Sequence, residues 1–185
     1  VWNKLHKVQG AADIPLAPNG ILLAVKTGEA LKDIRFDLCF SSPLARARKT
    51  AELILDSQTG EVPVIEDKRI QEINFGELEG VICFNDAHEY LNPEMEKFFT
   101  DPWKFKRPKH GENIEDILAR TKDFWDEKIH DPSLLDKTIL IASHGCAVRA
   151  LLQNVYQDPE NFWHGCVPPN CSVQVVEVKD GQAVL

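Results

Sequence analysis

The run Ile139-Leu140-Ile141-Ala142-Ser143-His144-Gly145 most constrains what this chain folds into. Its apolar start reads as a buried strand, and the following residues, 146–155, read as a helix. A strand that stops at Ser-His-Gly and feeds a helix sets an imidazole beside the free N–H groups of a helix N-terminus. That is a good place to hold an anion. A lone histidine at a strand end is more often structural than catalytic. The adjacent Gly145, which lets a ligand approach the backbone, tilts His144 toward function.

The rest of the chain alternates in the same way. Residues 36–40 read as a short strand, Ser41-Ser42-Pro43 as a turn and helix cap, and 44–55 as a helix with Leu44, Ala47, Ala51 and Ile54 inward. Pro18 opens an earlier helix that runs to about Leu31, with Ile21, Leu22, Val25 and Leu31 as its apolar face. Residues 62–65 are a second strand, whose Pro63 argues for an edge or a strand start. Asn92-Pro93 opens a short helix through Phe99. The spacing predicts an amphipathic helix over 114–129, capped by Asn113, with Ile114, Ile117, Leu118, Phe124 and Trp125 inward. Residues 138–142 form the core strand and 171–178 a last one. Strands and helices in this order predict an α/β fold: a three-layer sandwich with a mostly parallel central sheet and helices on both faces. Ligands on such sheets bind at the C-terminal strand ends, where both Ser41-Ser42-Pro43 and Ser143-His144-Gly145 fall.

The 185 residues suit a single domain over 1–185, and a 43% hydrophobic fraction suffices for a core. The net charge of -8 disfavours nucleic acid and anionic membranes as partners. An anionic small substrate would therefore need a local cluster of Arg and His. The five cysteines, at 39, 83, 146, 166 and 171, form no Cys-x-x-Cys, and no zinc spacing is present. Read as reduced and mostly buried, they favour a cytoplasmic protein. No apolar run approaches the roughly 20 residues of a membrane span.

Three segments hold residues able to do chemistry. Arg46 sits in the first turn of its helix, where a cation opposes the helix dipole and calls for a negative partner such as phosphate. Taken singly, Arg46 among Arg48 and Lys49 reads equally as a solvated face. Glu72 lies between apolar residues in a Gly-punctuated loop; burial would raise its pKa and make it a general acid. The alternative is a surface glutamate among the acidic residues of 66–79. His144 is the third. Phe98, Phe99 and Trp103 read as an apolar lid, with packing of a helix on the sheet as the alternative for Phe98 and Phe99. The run Lys104, Lys106, Arg107 and Lys109 reads as a substrate attractor or as solvated charge. Ser143 is a poor nucleophile, since no Gly-x-Ser-x-Gly elbow surrounds it.

Taken together, these segments resemble the histidine phosphatase superfamily, the phosphoglycerate mutase-like group. The likeness runs through Trp2-Asn3, Gln9-Gly10 to Gly20, Ser42-Pro43-Leu44-Ala45-Arg46-Ala47 with Thr50-Ala51, and Glu72-Ile73-Asn74-Phe75-Gly76 with Glu79-Gly80. His110-Gly111-Glu112-Asn113 is similar to the family's Gly-Glu-Ser helix entrance, and Ser143-His144-Gly145 to its second histidine motif. The resemblance implies a phosphohistidine mechanism needing neither metal nor cofactor. In it Arg46 clamps phosphate oxygens, His144 and Asn3 bind the transferring group, the Gly145 amide contributes, and Glu72 is the proton donor. Gln9 and Gly10 are implied at the substrate.

The family's Arg-His-Gly-Glu-Thr motif, which carries the nucleophile, would sit just before Val1, so the domain is expected to be incomplete at both ends. His6 has neither the preceding Arg nor the following Gly and is not carried over as the nucleophile. The expected function is hydrolysis of a small phosphorylated metabolite. The 81–109 segment, short for a glycolytic mutase, weighs toward hydrolysis over phosphoryl transfer. A non-catalytic phosphate- or partner-binding member is the alternative if the Arg-His-Gly segment is truly absent. The oligomeric state is open, a homodimer included.

Overall fold

Three parallel strands position everything that follows. In this computed structural model, which describes residues 2–179 and 181–185, β1 (Leu38–Ser41) lies between β2 (Val64–Glu66) and β3 (Ile139–Ala142). Ser41 pairs with Ala142, so β1 and β3 end level and their two following turns lie side by side. The α/β sandwich is built on this sheet. Leu38 and Phe40 face one side, where Phe40 packs with Phe124, Trp125 and Leu151. The opposite side carries α2 (Ala45–Leu55), which packs on β1 and β3, with α1 (Pro18–Leu31) packed in turn on α2.

The central strand is displaced from the predicted 36–40 because the ladder continues to Ser41. Asp37 instead pairs outside it, its amide donating to Thr138 O at 2.8 Å. Pro63 does precede an edge strand, since β2 pairs with β1 alone. The α2 entrance corrects the expected serine cap. Ser42 Oγ accepts only the amide of the N-cap residue Leu44, at 3.3 Å, and bonds no amide inside the helix. The Ala45 amide instead donates 2.8 Å to Asp13 Oδ1 from a distant loop. The inward set of α2 is as predicted, with Leu44, Ala47, Ala51 and Ile54 all buried.

The face of α1 is a second correction. Ile21, Leu22 and Val25 are exposed, and the buried residues are Ala24 and Gly28. Small residues win because α1 and α2 come close: a Cβ on Gly28 would meet Ile54 O at 2.9 Å. α3 (Pro93–Thr100) is capped by Asn92, and α4 (Ile114–Ile129) by Asn113 in a reciprocal capping box with Asp116. Four of the five inward residues predicted for α4 are buried, and Leu118 is partly so.

α5 (Gly145–Leu152) follows β3 directly. β3 itself is not the fully buried strand its sequence suggests, with Ile141 37% exposed. Among the described residues β1 is its only paired neighbour, so one edge and part of its apolar surface are uncovered. The expected last strand is also shorter. Residues 171–176 form no strand, and β4 (Glu177–Lys179) pairs antiparallel with β5 (Gln182–Val184).

Beyond α4 and α5 lies an aromatic cluster of Phe75, Phe98, Phe105, Phe162 and Trp163. Phe98 is 3% exposed, and Phe99 stacks toward Trp163, so both are packing residues rather than a lid. Trp103 borders a cleft of about 290 Å³ with its indole N–H donating to Glu160 O. In the basic run, Lys104 pairs with Asp101 and Arg107 with Asp116. No helix is long and apolar enough to cross a membrane, among the residues described.

Candidate active site

The level ends of β1 and β3 bring Arg46, Glu72 and His144 to one place. His144 caps α5 in extended geometry, and its Nε2 lies 2.8 Å from Ser42 Oγ across the two strand ends. Burial pulls its pKa down to about 3, and the charges of Arg46 and Arg120 push the same way. The ring is therefore neutral near pH 7.

Glu72 is 8% exposed and reaches the first turn of α5. Its Oε1 accepts from the Ile73 amide at 3.0 Å and the Ala147 amide at 3.1 Å, and its Oε2 from the Cys146 amide at 3.2 Å. The free amides of the α5 N-terminus are thus spent on this carboxylate, while the Gly145 amide has no acceptor among the described residues. Loss of water raises the Glu72 pKa, opposed by the three amides and by Arg46. Oε1 carries two bonds and Oε2 one, which leaves Oε2 the better place for a proton. A Cβ on Gly145 would lie 2.8 Å from Cγ1 of the exposed Val167.

Arg46 answers its unfavourable helix position with loop carbonyls. Nη1 donates to Ala12 O at 2.8 Å and Nη2 to Gly10 O at 2.7 Å. Burial lowers its pKa, and the carboxylates of Glu72, Asp13 and Glu79 oppose that. Glu79 holds the same loop from the other side, accepting from the amides of Gly10, Ala11, Ala12 and Phe75. Gly10 is buried with both its backbone groups taken by the protein, and a Cβ there would meet Ile73 O at 2.2 Å. What Gly10 contributes is space for this close approach.

Gln9 stands beside this loop, partly exposed, and its side chain makes no hydrogen bond among the described residues. Asn3 is exposed on a short helical turn, Trp2–Leu5, and the same holds for its side chain. Its segment packs along 80–84, where Lys7 bridges Ile82. No hydrogen bond joins Asn3 or Gln9 to Arg46, Glu72 or His144.

Four residues support the site in roles that the sequence did not assign. Arg120 uses all five of its N–H groups: on Glu112 twice, and on the carbonyls of Arg69, Gln71 and Glu72. Glu112 also accepts the Asn74 amide at 2.9 Å, so this pair clamps the acid loop at both ends. Glu79 and Ser42 are the others. Glu112 had a signal, its place ahead of a capped helix, but the carbonyls that Arg120 holds are adjacent only in the fold. Ser143 is structural, its hydroxyl donating to Ile70 O at 2.7 Å. Among the described residues no group of three His, Cys, Asp or Glu has the geometry to hold a metal ion.

Taken as chemistry, the site offers a guanidinium, a neutral imidazole and a protonatable carboxyl at one strand end. Such a set binds an oxyanion and can hand it a proton. The sequence profile of the histidine phosphatase superfamily (branch 1) matches residues 1–185. A 2,3-bisphosphoglycerate-dependent phosphoglycerate mutase 2 of Gloeobacter violaceus is 31% identical over 159 residues, 84% of this chain and 70% of the relative. Among solved structures, Bacillus stearothermophilus YhfR superposes with a TM-score of 0.82 at 25% identity, covering 98% of this chain and 88% of that one. The alpha-ribazole phosphatase of Shigella flexneri has a TM-score of 0.78 at 23% identity over 100% of this chain and 88% of its own, a likeness of fold alone.

Proposed function

The chain belongs to the histidine phosphatase superfamily, and from that membership we propose that it hydrolyses phosphate monoesters of a small metabolite through a phosphohistidine. The observation that carries this reading is the meeting of Arg46, the neutral ring of His144 and the buried carboxyl of Glu72 at adjoining strand ends. Arg46 holds the phosphoryl oxygens as charge develops on them. His144 donates a hydrogen bond to the same group. The attacking imidazole is the one that the family motif would place ahead of Val1. It forms the P–N bond as the P–O bond to the leaving group breaks, and Glu72 gives its proton to the departing oxygen. In the second half, water attacks phosphorus, the P–N bond breaks, and the Glu72 carboxylate takes the water's proton.

The test is hydrolysis of a generic aryl phosphate without added metal. Arg46→Ala and His144→Ala are expected to remove nearly all activity, and a near-wild-type rate in either overturns the reading. The phosphoglycerate mutase named above supports a second reading, transfer of the phosphoryl group to another acceptor. Isomerisation of a phosphoglycerate faster than its hydrolysis would select it.

A further inference from the structure

Ser42 is fully buried and has no part in the scheme above. Its hydroxyl oxygen accepts the Leu44 amide at 3.3 Å and lies 2.8 Å from His144 Nε2. Among the described residues these are the hydroxyl's only hydrogen-bond partners. A serine hydroxyl has one proton and two lone pairs, and Leu44 uses one lone pair. Were the imidazole proton on Nε2, it would take the second, and the hydroxyl proton would be buried with no acceptor. With Nε2 bare, the hydroxyl donates to it, and both the Ser42 hydroxyl and Nε2 are satisfied. A neutral ring carries one proton, which then sits on Nδ1. Burial keeps the ring neutral, and the guanidiniums of Arg46 and Arg120 add to this by disfavouring a third positive charge.

We propose that Ser42 locks His144 in the tautomer protonated on Nδ1, so that His144 meets a phosphoryl oxygen as a hydrogen-bond donor and offers no lone pair for attack. The donor role rests on the phosphate-site reading above; the tautomer stands without it. Ser42 touches no substrate in this arrangement and is a positioning residue. Nδ1 has no hydrogen-bond partner among the described residues, and it is the ring atom left for a ligand.

Nitrogen-15 NMR of histidine-labelled protein, free of ligand at neutral pH, reads the tautomer directly. His144 is assigned by the signal lost in His144→Gln. The expected spectrum has a protonated Nδ1 and a bare Nε2; a proton on Nε2, or on both nitrogens, overturns the proposal. Ser42→Ala is expected to release the lock and raise the Nε2-protonated population. Ser41→Ala, which removes a neighbouring buried hydroxyl that donates to the Ser42 carbonyl, is expected to leave the tautomer alone. An unchanged tautomer in Ser42→Ala overturns the proposal, and should that variant not fold, the wild-type spectrum decides.

Inorganic phosphate is expected to shift the Nδ1 resonance and to bind Ser42→Ala about tenfold more weakly. Phosphate that binds without moving Nδ1 overturns the donor role. No phosphate binding to the wild-type protein would instead sink the phosphate-site reading, with the tautomer still judged on the ligand-free spectrum.

Discussion

Glu72 and Glu79 lie one short loop apart, and each collects a fan of backbone amides. Glu72 takes three, two of them from the first turn of α5. Glu79 takes four, three of them in succession from Gly10, Ala11 and Ala12. The two differ in water. Glu72 is 8% exposed, and burial raises its pKa against the pull of its amides. Glu79 keeps partial exposure and ties one loop to another. Desolvation, more than the number of hydrogen bonds, sets Glu72 apart from Glu79.

That contrast can be broken at several places. The largest effect is expected from Glu72→Gln, which keeps the shape but carries no transferable proton. Its turnover of an aryl phosphate should fall at least about a hundredfold, and a loss below about tenfold would deny Glu72 the acid role. Arg120→Met comes next. It strands Glu112 and three loop carbonyls, so urea denaturation should show a loss of about 2–3 kcal/mol. Retained stability there would mean that the acid loop holds itself.

Glu79→Gln should cost about 1–2 kcal/mol by the same measurement, because its amide group opposes backbone donors. It should also weaken inorganic phosphate binding through the loop that grips Arg46, while Glu72 chemistry persists. The smallest effect concerns His144. Its pKa falls from 6.5 to about 3 on folding, so on acidification the unfolded chain takes up the proton first. Stability therefore drops as pH falls below 6.5 toward 3. About 1 kcal/mol should be lost over the first pH unit below 6.5. His144→Asn should flatten that slope, and an unchanged slope would place the acid sensitivity elsewhere.

Much of this was legible in the residues. α4 declares itself by a capping box and a 3.6-residue apolar period, signals that need no partner. The strand-to-turn sites around Ser42 and His144 were readable for the same reason. The face of α1 was not, because apolar residues on a helix name a face only if something covers it. There Ala24 and Gly28 are buried by the closeness of α2, and Leu22 is left 64% exposed. Arg120 was equally silent, an arginine on a helix whose carbonyl acceptors lie about 50 residues away along the chain.

By itself the sequence determined the order of strands and helices, the turns at which the site is built, and the three residue types that suit an oxyanion. These depend on local pattern and on chemistry each side chain carries wherever it lies. Only the tertiary structure decided that Glu72 sits on the α5 amides, that Arg46 grips the Gly10–Ala12 loop, and that Ser42 meets His144. Protonation state, tautomer and grip are set by burial and by neighbours far apart in the chain, and those exist only once the sheet has brought its strand ends level.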